Sequence, residues 1–200
     1  NLDPLPIAIS PLYIELGSKD IKQEDEIIKN VGERISKVIE INFKRSGLFN
    51  PLKKDSFVQN PDIAHIKPRF EDWRLIKAQA LVTGKVTVSN DKLRVEFRLW
   101  DVIAAKEILA LAFSTTPNNW RRVAHMISDK IYQRLTGEEG YFDTRIIYVS
   151  ETGKKTQRYK KLAIMDQDGA NVKYLTLGNE LVLTPRFSPK NQLVTYLSYF

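Results

Sequence analysis

The pattern of apolar and polar positions divides the chain into two kinds of territory. In the first two thirds, apolar residues recur at helical or strand spacing over long stretches. Pro4-Leu5-Pro6 excludes a helix and leads into Ile7-Ala8-Ile9, a short apolar run that predicts a buried strand ended by Ser10-Pro11. From about Gln23 to Arg45, Ile27, Val31, Ile35, Val38 and Ile39 form one apolar stripe and predict a long helix. Asp20 with Gln23 reads as its capping pair. Glu24, Asp25 and Glu26 suit the positive first turn, Lys44 and Arg45 suit the last, and Gly47 suits a left-handed cap. Residues 50–70, with Pro51, Pro61 and Pro68, read as loop, and Phe70 to Ala78 as a short helix. The period then switches to two. Leu81–Val88 is a strand, Ser89-Asn90-Asp91 a turn, and Leu93, Val95, Phe97 and Leu99 alternate with Arg94, Glu96 and Arg98. Such alternation marks a strand with one buried and one wet face. Ile108–Phe113 is a third, more evenly apolar strand. Asn118 is the expected N-cap of a last helix, whose Val123, Ile127, Ile131 and Leu135 repeat every four residues until Thr136-Gly137.

This order predicts an α/β (α+β) domain over residues 1–142, its mixed sheet of about four strands covered by two long helices. Gly140 to Thr144 reads as a linker. Beyond it all elements are short and strand-like, at 145–150, 161–166, 172–175, 181–187 and 193–199. Turn-forming sets separate them, notably Asp166–Asn171 and Ser188-Pro189-Lys190-Asn191. One strand pattern occurs twice: Ile146-Ile147-Tyr148-Val149-Ser150 and Val194-Thr195-Tyr196-Leu197-Ser198, 48 residues apart. A strand repeat of roughly 40–50 residues is the mark of a β-propeller, one blade per repeat. Residues 143–200 are therefore expected to be a first blade and the start of the next. A ring needs about four to eight blades, so the sequence reads as the N-terminal piece of a longer protein.

Composition narrows the functional classes. With 42% hydrophobic and 28% charged residues the chain has globular composition. The absence of cysteine excludes disulfides and thiolate metal sites. The net charge of +7 is spread over both parts, whereas nucleic-acid binders cluster their basic residues with exposed aromatics. The densest basic run, Lys154 to Lys161, reads as a solvated hairpin loop, with contact to an anionic surface as the alternative. No nucleic-acid partner and no cofactor are expected.

Candidate chemistry is sparse. His65 lies in the proline-rich loop, and His125, two residues after Val123, should lie off the apolar face. Both read as structural or surface residues, and Glu138-Glu139 as a solvated helix end. Asp166-x-Asp168-Gly169-x-Asn171 has the spacing that opens calcium loops. The EF-hand pattern also needs a glutamate at the twelfth position, where Leu177 stands. The segment equally suits a hairpin turn, the preferred reading, and no metal site is expected. No G-x-S-x-G elbow or phosphate-binding loop occurs, so no catalytic residue is assigned.

Several of these segments resemble the TolB family. Asn119-Trp120-Arg121-Arg122-Val123-Ala124-His125 through Leu135-Thr136-Gly137 is similar to the family's last N-domain helix. Gly140-Tyr141-Phe142-Asp143-Thr144-Arg145-Ile146-Ile147-Tyr148-Val149-Ser150 is similar to its linker and first propeller strand. Ser46-Gly47-Leu48-Phe49-Asn50-Pro51-Leu52 matches the turn after the first long helix. Asp166, Asp168-Gly169 and Asn171 match a blade turn, and Arg186-Phe187-Ser188-Pro189 the blade-opening motif. The resemblance implies a non-enzymatic, periplasmic adaptor of the Tol–Pal system. Its propeller would bind the lipoprotein Pal, which places it peripherally at the outer membrane, and contacts with other outer-membrane proteins are open. Its N-terminal segment would engage TolA, and the system maintains the outer membrane and its constriction in cell division. On this resemblance Asn1, Leu2, Asp3, Pro4 and Leu5 are what remains of the TolA-contacting segment, and the signal peptide and most of the propeller are expected to be missing from the chain. The alternative is the N-terminal part of a propeller-containing peptidase. Unpaired blade strands around 145–150 and 193–199 are expected to promote self-association.

Overall fold

The computed structural model describes residues 3–16, 30–89, 92–154, 157–178 and 180–199. The chain divides into two compact units, Asn1–Phe142 and Asp143–Phe200.

The first unit is built around one long strand. β1 (Leu5–Ile9), β2 (Tyr13–Leu16), β3 (Phe49–Pro51), β4 (Ala80–Ser89), β5 (Lys92–Asp101) and β6 (Lys106–Thr115) form a six-stranded sheet in the order β3-β1-β4-β5-β6, with β2 also on β4. β1 pairs in parallel with both β3 and β4, and β2 in parallel with β4. β4, β5 and β6 are an antiparallel meander. The sheet is therefore mixed, and it has more strands than the pattern predicted. Tyr13–Leu16 and Phe49–Pro51 are too short to show a period, and each becomes a strand by docking onto a neighbour already in place.

β1 and β2 share one side of β4 end to end. Ile7–Ile9 occupy Ala80–Val82, and Tyr13–Leu16 occupy Lys85–Val88. Gly84 lies at the changeover and opposite Phe97. A Cβ there would stand 2.2 Å from the Glu96 carbonyl oxygen and 2.9 Å from the Phe97 Cα. Those are backbone atoms, which cannot rotate away, so only glycine lets the two strands lie this close.

Two helices, α1 (Val31–Ser46) and the later α4 (Trp120–Thr136), cover one face. Val82, Val86 and Val88 of β4 and Val95, Phe97 and Leu99 of β5 meet Ile35, Ile39, Val123, Ile127 and Ile131 in one buried cluster. The predicted start of the first helix, with Asp20, Gln23 and Glu24–Glu26, lies outside the described residues, as does the Asn90-Asp91 turn. Gly47 (φ 72°) and Gly137 (φ 82°) end the two helices in the left-handed conformation, as expected of helix caps. Asn118 is not the N-cap of α4. Pro117–Asn119 form a turn of 3-10 helix, Asn119 takes the cap position, and no side chain caps the end.

The other sheet face is half covered. Residues 50–70 are not a plain loop. They hold a 3-10 turn (Lys54–Ser56) and α2 (Pro61–Ala64), followed by α3 (Phe70–Leu75). Buried Gln59 orders this layer, accepting from Arg69 N–H (2.9 Å) and Trp73 Nε1 (3.2 Å) and donating to the Lys67 carbonyl (3.0 Å). Trp73, Ala64, Ala78, Leu81, Ala8 and Val102 form the second buried cluster. Nor is Gly140–Thr144 a free linker in its first half. Phe142 is 1% exposed, packs on Phe43 and Tyr132, and donates its N–H to Asp129 Oδ1 at 2.7 Å.

In the second unit, β7 (Arg145–Lys154), β8 (Gln157–Asp166) and β9 (Lys173–Tyr174) form an antiparallel sheet, and β10 (Leu181–Phe187) pairs with β11 (Val194–Tyr199). The repeated tyrosines, Tyr148 and Tyr196, lie on β7 and β11. These are the first strands of a propeller. The basic run is not a hairpin loop. Lys154 ends β7 and Gln157–Lys161 lie on β8, while Lys155 and Thr156 fall outside the described residues. Glu151 pairs across the hairpin with Arg158 (2.6 Å) and Lys160 (2.8 Å).

The packing makes Ile127, fully buried between helix and sheet, a sensitive position. Ile127→Ala is expected to cost about 2–5 kcal/mol, the range for deleting a buried large side chain. Urea unfolding measures this, and a change below about 0.5 kcal/mol would place the residue on the surface. Gly84→Ala is expected to lower the midpoint as well, although alanine suits a strand no worse than glycine. An unchanged midpoint would mean that β4 and β5 have room to separate.

Candidate partner-binding surfaces

The N-terminal residues come apart into two groups. Asn1 and Leu2 lie outside the described residues. Asp3 and Pro4 are exposed and precede the first strand. Leu5 already belongs to β1: its N–H donates to the Leu48 carbonyl at 2.9 Å, it stands opposite Phe49, and its side chain packs partly on the core. A partner could take hold of the chain up to Pro4 without disturbing the sheet, but not of Leu5. Leu5→Ala should therefore lower stability by about 1–2 kcal/mol, below the full-burial range because the side chain is only partly covered. Replacing Asp3 and Pro4 by glycine and serine should leave the melting temperature unchanged. Equal effects of both changes would show that the strand starts elsewhere.

The uncovered half of the outer sheet face carries rows of charge. Register places Tyr13, Lys85, Glu96 and Ala112 in one row across the sheet, and Glu15, Thr87, Arg94 and Ser114 in the next. Ion pairs join Glu15 to Lys85 (2.9 Å), Glu96 to Arg94 (2.9 Å) and Glu107 to Arg98 (3.1 Å). His65 comes over this face from the end of α2 and stacks on Tyr13, ring centroids 4.8 Å apart and planes 8° from parallel. Its Nδ1 is 3.0 Å from the Pro61 carbonyl oxygen. A carbonyl only accepts, so Nδ1 carries the proton of that bond. His65, Ile66, Lys85, Glu96 and Arg98 frame a cleft of about 260 Å³ above Gly84. Its chemistry is polar binding by groups already engaged in pairs. The sequence showed His65 in a loop, but nothing in its spacing showed that Tyr13, 52 residues earlier, would lie beneath it.

Glu15 is held below the usual carboxylate range, first by the hydrogen bond from Lys85, then by the charge of Lys85 and the hydrogen bond from Thr87. A depressed carboxylate contributes stability above its unfolded-chain value and loses it as pH falls through the folded value. An NMR titration should place the Glu15 midpoint below that of glutamate in an unstructured peptide. A midpoint at or above that reference would show the Lys85 pair to be broken in solution.

His125 lies off the Val123–Ile127–Ile131 stripe, as expected, yet it is buried. It is 2% exposed, in the seam between α1 and α4. Asn42 of α1, itself fully buried, donates through Nδ2 to His125 Nδ1 (3.0 Å) and to Ser128 Oγ (2.9 Å), and Ser128 Oγ donates to the Ala124 carbonyl (2.9 Å). An amide nitrogen only donates, so His125 Nδ1 is unprotonated here. The single-stripe reading failed because α4 buries two faces. Val123, Ile127 and Ile131 meet the sheet, while His125, Ser128 and Tyr132, at i, i+3 and i+7, form a second buried face.

The Asp166–Asn171 segment is a closed turn. Gly169 N–H donates to the Asp166 carbonyl (2.9 Å), Ala170 N–H to Asp168 Oδ1 (3.1 Å) and Asn171 Nδ2 to Asp166 Oδ2 (2.6 Å). Gly169 (φ 86°) and Asn171 (φ 54°) supply the left-handed positions. Ser188 closes the next turn by donating its N–H to the Leu193 carbonyl (2.9 Å). The blade strands and the turns between them leave Leu177, Leu193, Leu197, Tyr196 and Tyr199 exposed. Glu138 and Glu139 are exposed beyond the end of α4.

Comparison with known proteins agrees with this architecture. Residues 1–108 match the TolB amino-terminal domain, and residues 132–200 the TolB beta propeller domain. The chain is 70% identical over 205 aligned positions to the Tol-Pal system protein TolB of Pelagibacter ubique (strain HTCC1062), covering all of this chain and 45% of that protein. The crystal structure of TolB from Acinetobacter baumannii superposes with a TM-score of 0.75 at 25% identity, over 98% of this chain and 44% of that one. The chain thus spans a little under half the length of these relatives. In sequence and in fold, over both its units, it belongs to the TolB family.

Proposed function

We propose that this chain is the N-terminal part of a non-enzymatic, periplasmic adaptor of the Tol–Pal system. The observation that carries the reading is the 70% identity over the whole chain to a protein of that system. The division of labour follows from the two units. The segment up to Pro4, of which Asp3 and Pro4 are exposed ahead of the first strand, is the part that would engage TolA. The unit from Asp143 onward would contribute the first propeller strands to a ring whose mouth binds Pal, with other outer-membrane proteins as further partners. Through Pal the protein would be held at the outer membrane and serve its integrity and its constriction during division. The exposed leucines and tyrosines of β9 to β11 support this, since a blade covers its apolar faces by packing against its neighbours in the ring.

The chain alone should bind Pal weakly or not at all, because a ring mouth is assembled from loops of several blades and a stable interface needs roughly 1,000 Å². Calorimetric titration of Pal into the full-length protein and into residues 1–200, with sedimentation of each, tests this. The full-length protein should bind, and the shorter chain should bind at least a hundredfold more weakly and self-associate. Micromolar or tighter binding by monomeric residues 1–200 would move the Pal site into the N-terminal unit or first blade.

A further inference from the structure

The far edge of the first unit's sheet is built unlike an ordinary protein edge. β6 is the end of the strand order and, among the described residues, pairs only with β5. Natural proteins blunt such edges with charges, prolines, bulges or short strands, because free N–H and C=O groups invite another strand. β6 is defended at one end alone. There the register slips between Leu99 and Trp100, so that Ile108 is the extra residue of a bulge, and Arg134 Nε of α4 donates to its carbonyl at 2.8 Å. Beyond it, Leu109-Ala110-Leu111-Ala112-Phe113-Ser114-Thr115 contains no charge, proline or glycine. Ala110, Leu111, Ala112 and Ser114 are exposed. This is an uninterrupted run of seven residues whose outer main chain has no strand partner among the described residues.

The charge beside the edge says what kind of strand it suits. Lys130 stands one helical turn before Arg134, on the same flank of α4, and both are exposed. Neither is ion-paired among the described residues. Arg94 is paired with Glu96 and Arg98 with Glu107, and Lys106 stands opposite Asp101, which leaves Lys130 and Arg134 as the unbalanced cations beside the edge. A second copy of the chain would bring only another uncharged run and leave Lys130 and Arg134 unanswered.

We propose that the edge Leu109–Thr115 receives an extended, acidic segment of a partner protein as an added strand. Main-chain hydrogen bonds would give the affinity, and Lys130 and Arg134 the preference for carboxylates. This site uses no residue of the N-terminal segment or of the propeller strands, and it does not depend on the Tol–Pal reading.

The test uses the ¹⁵N-labelled 200-residue chain and two capped nonapeptides, one alternating valine with glutamate and the other valine with lysine. The glutamate peptide should shift alternate amides of residues 109–115 and slow their exchange with solvent. It should bind at least tenfold more tightly than the lysine peptide, and added salt should narrow the gap. Lys130→Glu, on the exposed flank, should weaken the glutamate peptide at least threefold and strengthen the lysine peptide without changing the melting temperature. Of Leu111→Pro and Ala112→Pro, the variant that retains its melting temperature has lost an outward N–H, and it should lose binding. Shifts confined to other residues, equal affinity for the two peptides, or no shift at millimolar peptide would overturn the proposal. So would a chain dimer, seen by sedimentation, that the folded proline variant dissolves.

Discussion

The close approach of β4 to β5 at Gly84 is the constraint on which the first unit rests. β4 must accept two parallel strands in succession on one side and a full-length antiparallel partner on the other. The changeover leaves a position where the backbone of β5 comes within a side chain's radius of β4, and a glycine fills it. From that fixed strand the rest follows. β1 is buried on both faces because Ile7 and Ile9 join the core under the helices and Ala8 joins the Trp73 cluster on the other side, and β3 forms by docking on β1. The apolar alternation of β4 and β5 then gives one floor for α1 and α4.

The helices are held to each other by different chemistry from that which holds them to the sheet. Toward the sheet the contacts are apolar and non-directional, and other side chains of similar volume would serve. Between the helices a buried amide, an imidazole and a hydroxyl must satisfy one another, which fixes the register of α1 against α4. Near the other end the Arg34 guanidinium lies 4.3 Å from the Trp120 ring centroid, joining the two helices a second time. At the start of α1, Gly32 lets the helix approach the Leu12 backbone, and Ser36 donates to the Ser10 carbonyl at 2.9 Å. These directional contacts give the unit one arrangement, so that its outer sheet face and its free edge are presented at fixed positions.

The second unit is stabilised differently. Its buried residues are few, Leu162, Ala163 and Val182 among them, and its strands are tied by main-chain ladders and by turns that close on their own side chains. Such a unit carries its order in its turns and leaves its apolar surfaces for neighbours.

Sequence alone determined the elements whose residues interact locally. The α4 stripe, the alternation of β5, the glycine caps and the Asp166–Asn171 turn depend on neighbours within a few positions, so period and residue type were enough. The 48-residue recurrence of the tyrosine strand likewise exposed the propeller pattern, because a repeated unit writes its period into the chain. What tertiary structure decided were the pairings between distant segments. Tyr13–Leu16 and Phe49–Pro51 are strands only because β4 and β1 offer them a ladder. His125 is buried only because Asn42, 83 positions away, supplies a donor. His65 meets Tyr13 because Gln59 ties the segment that carries α2 back to Lys67, Arg69 and Trp73, and Phe142 leaves the linker for the core because Phe43 and Tyr132 leave room for a ring. Each of these outcomes depends on a partner far away in sequence, and no local spacing records which partner the fold will bring.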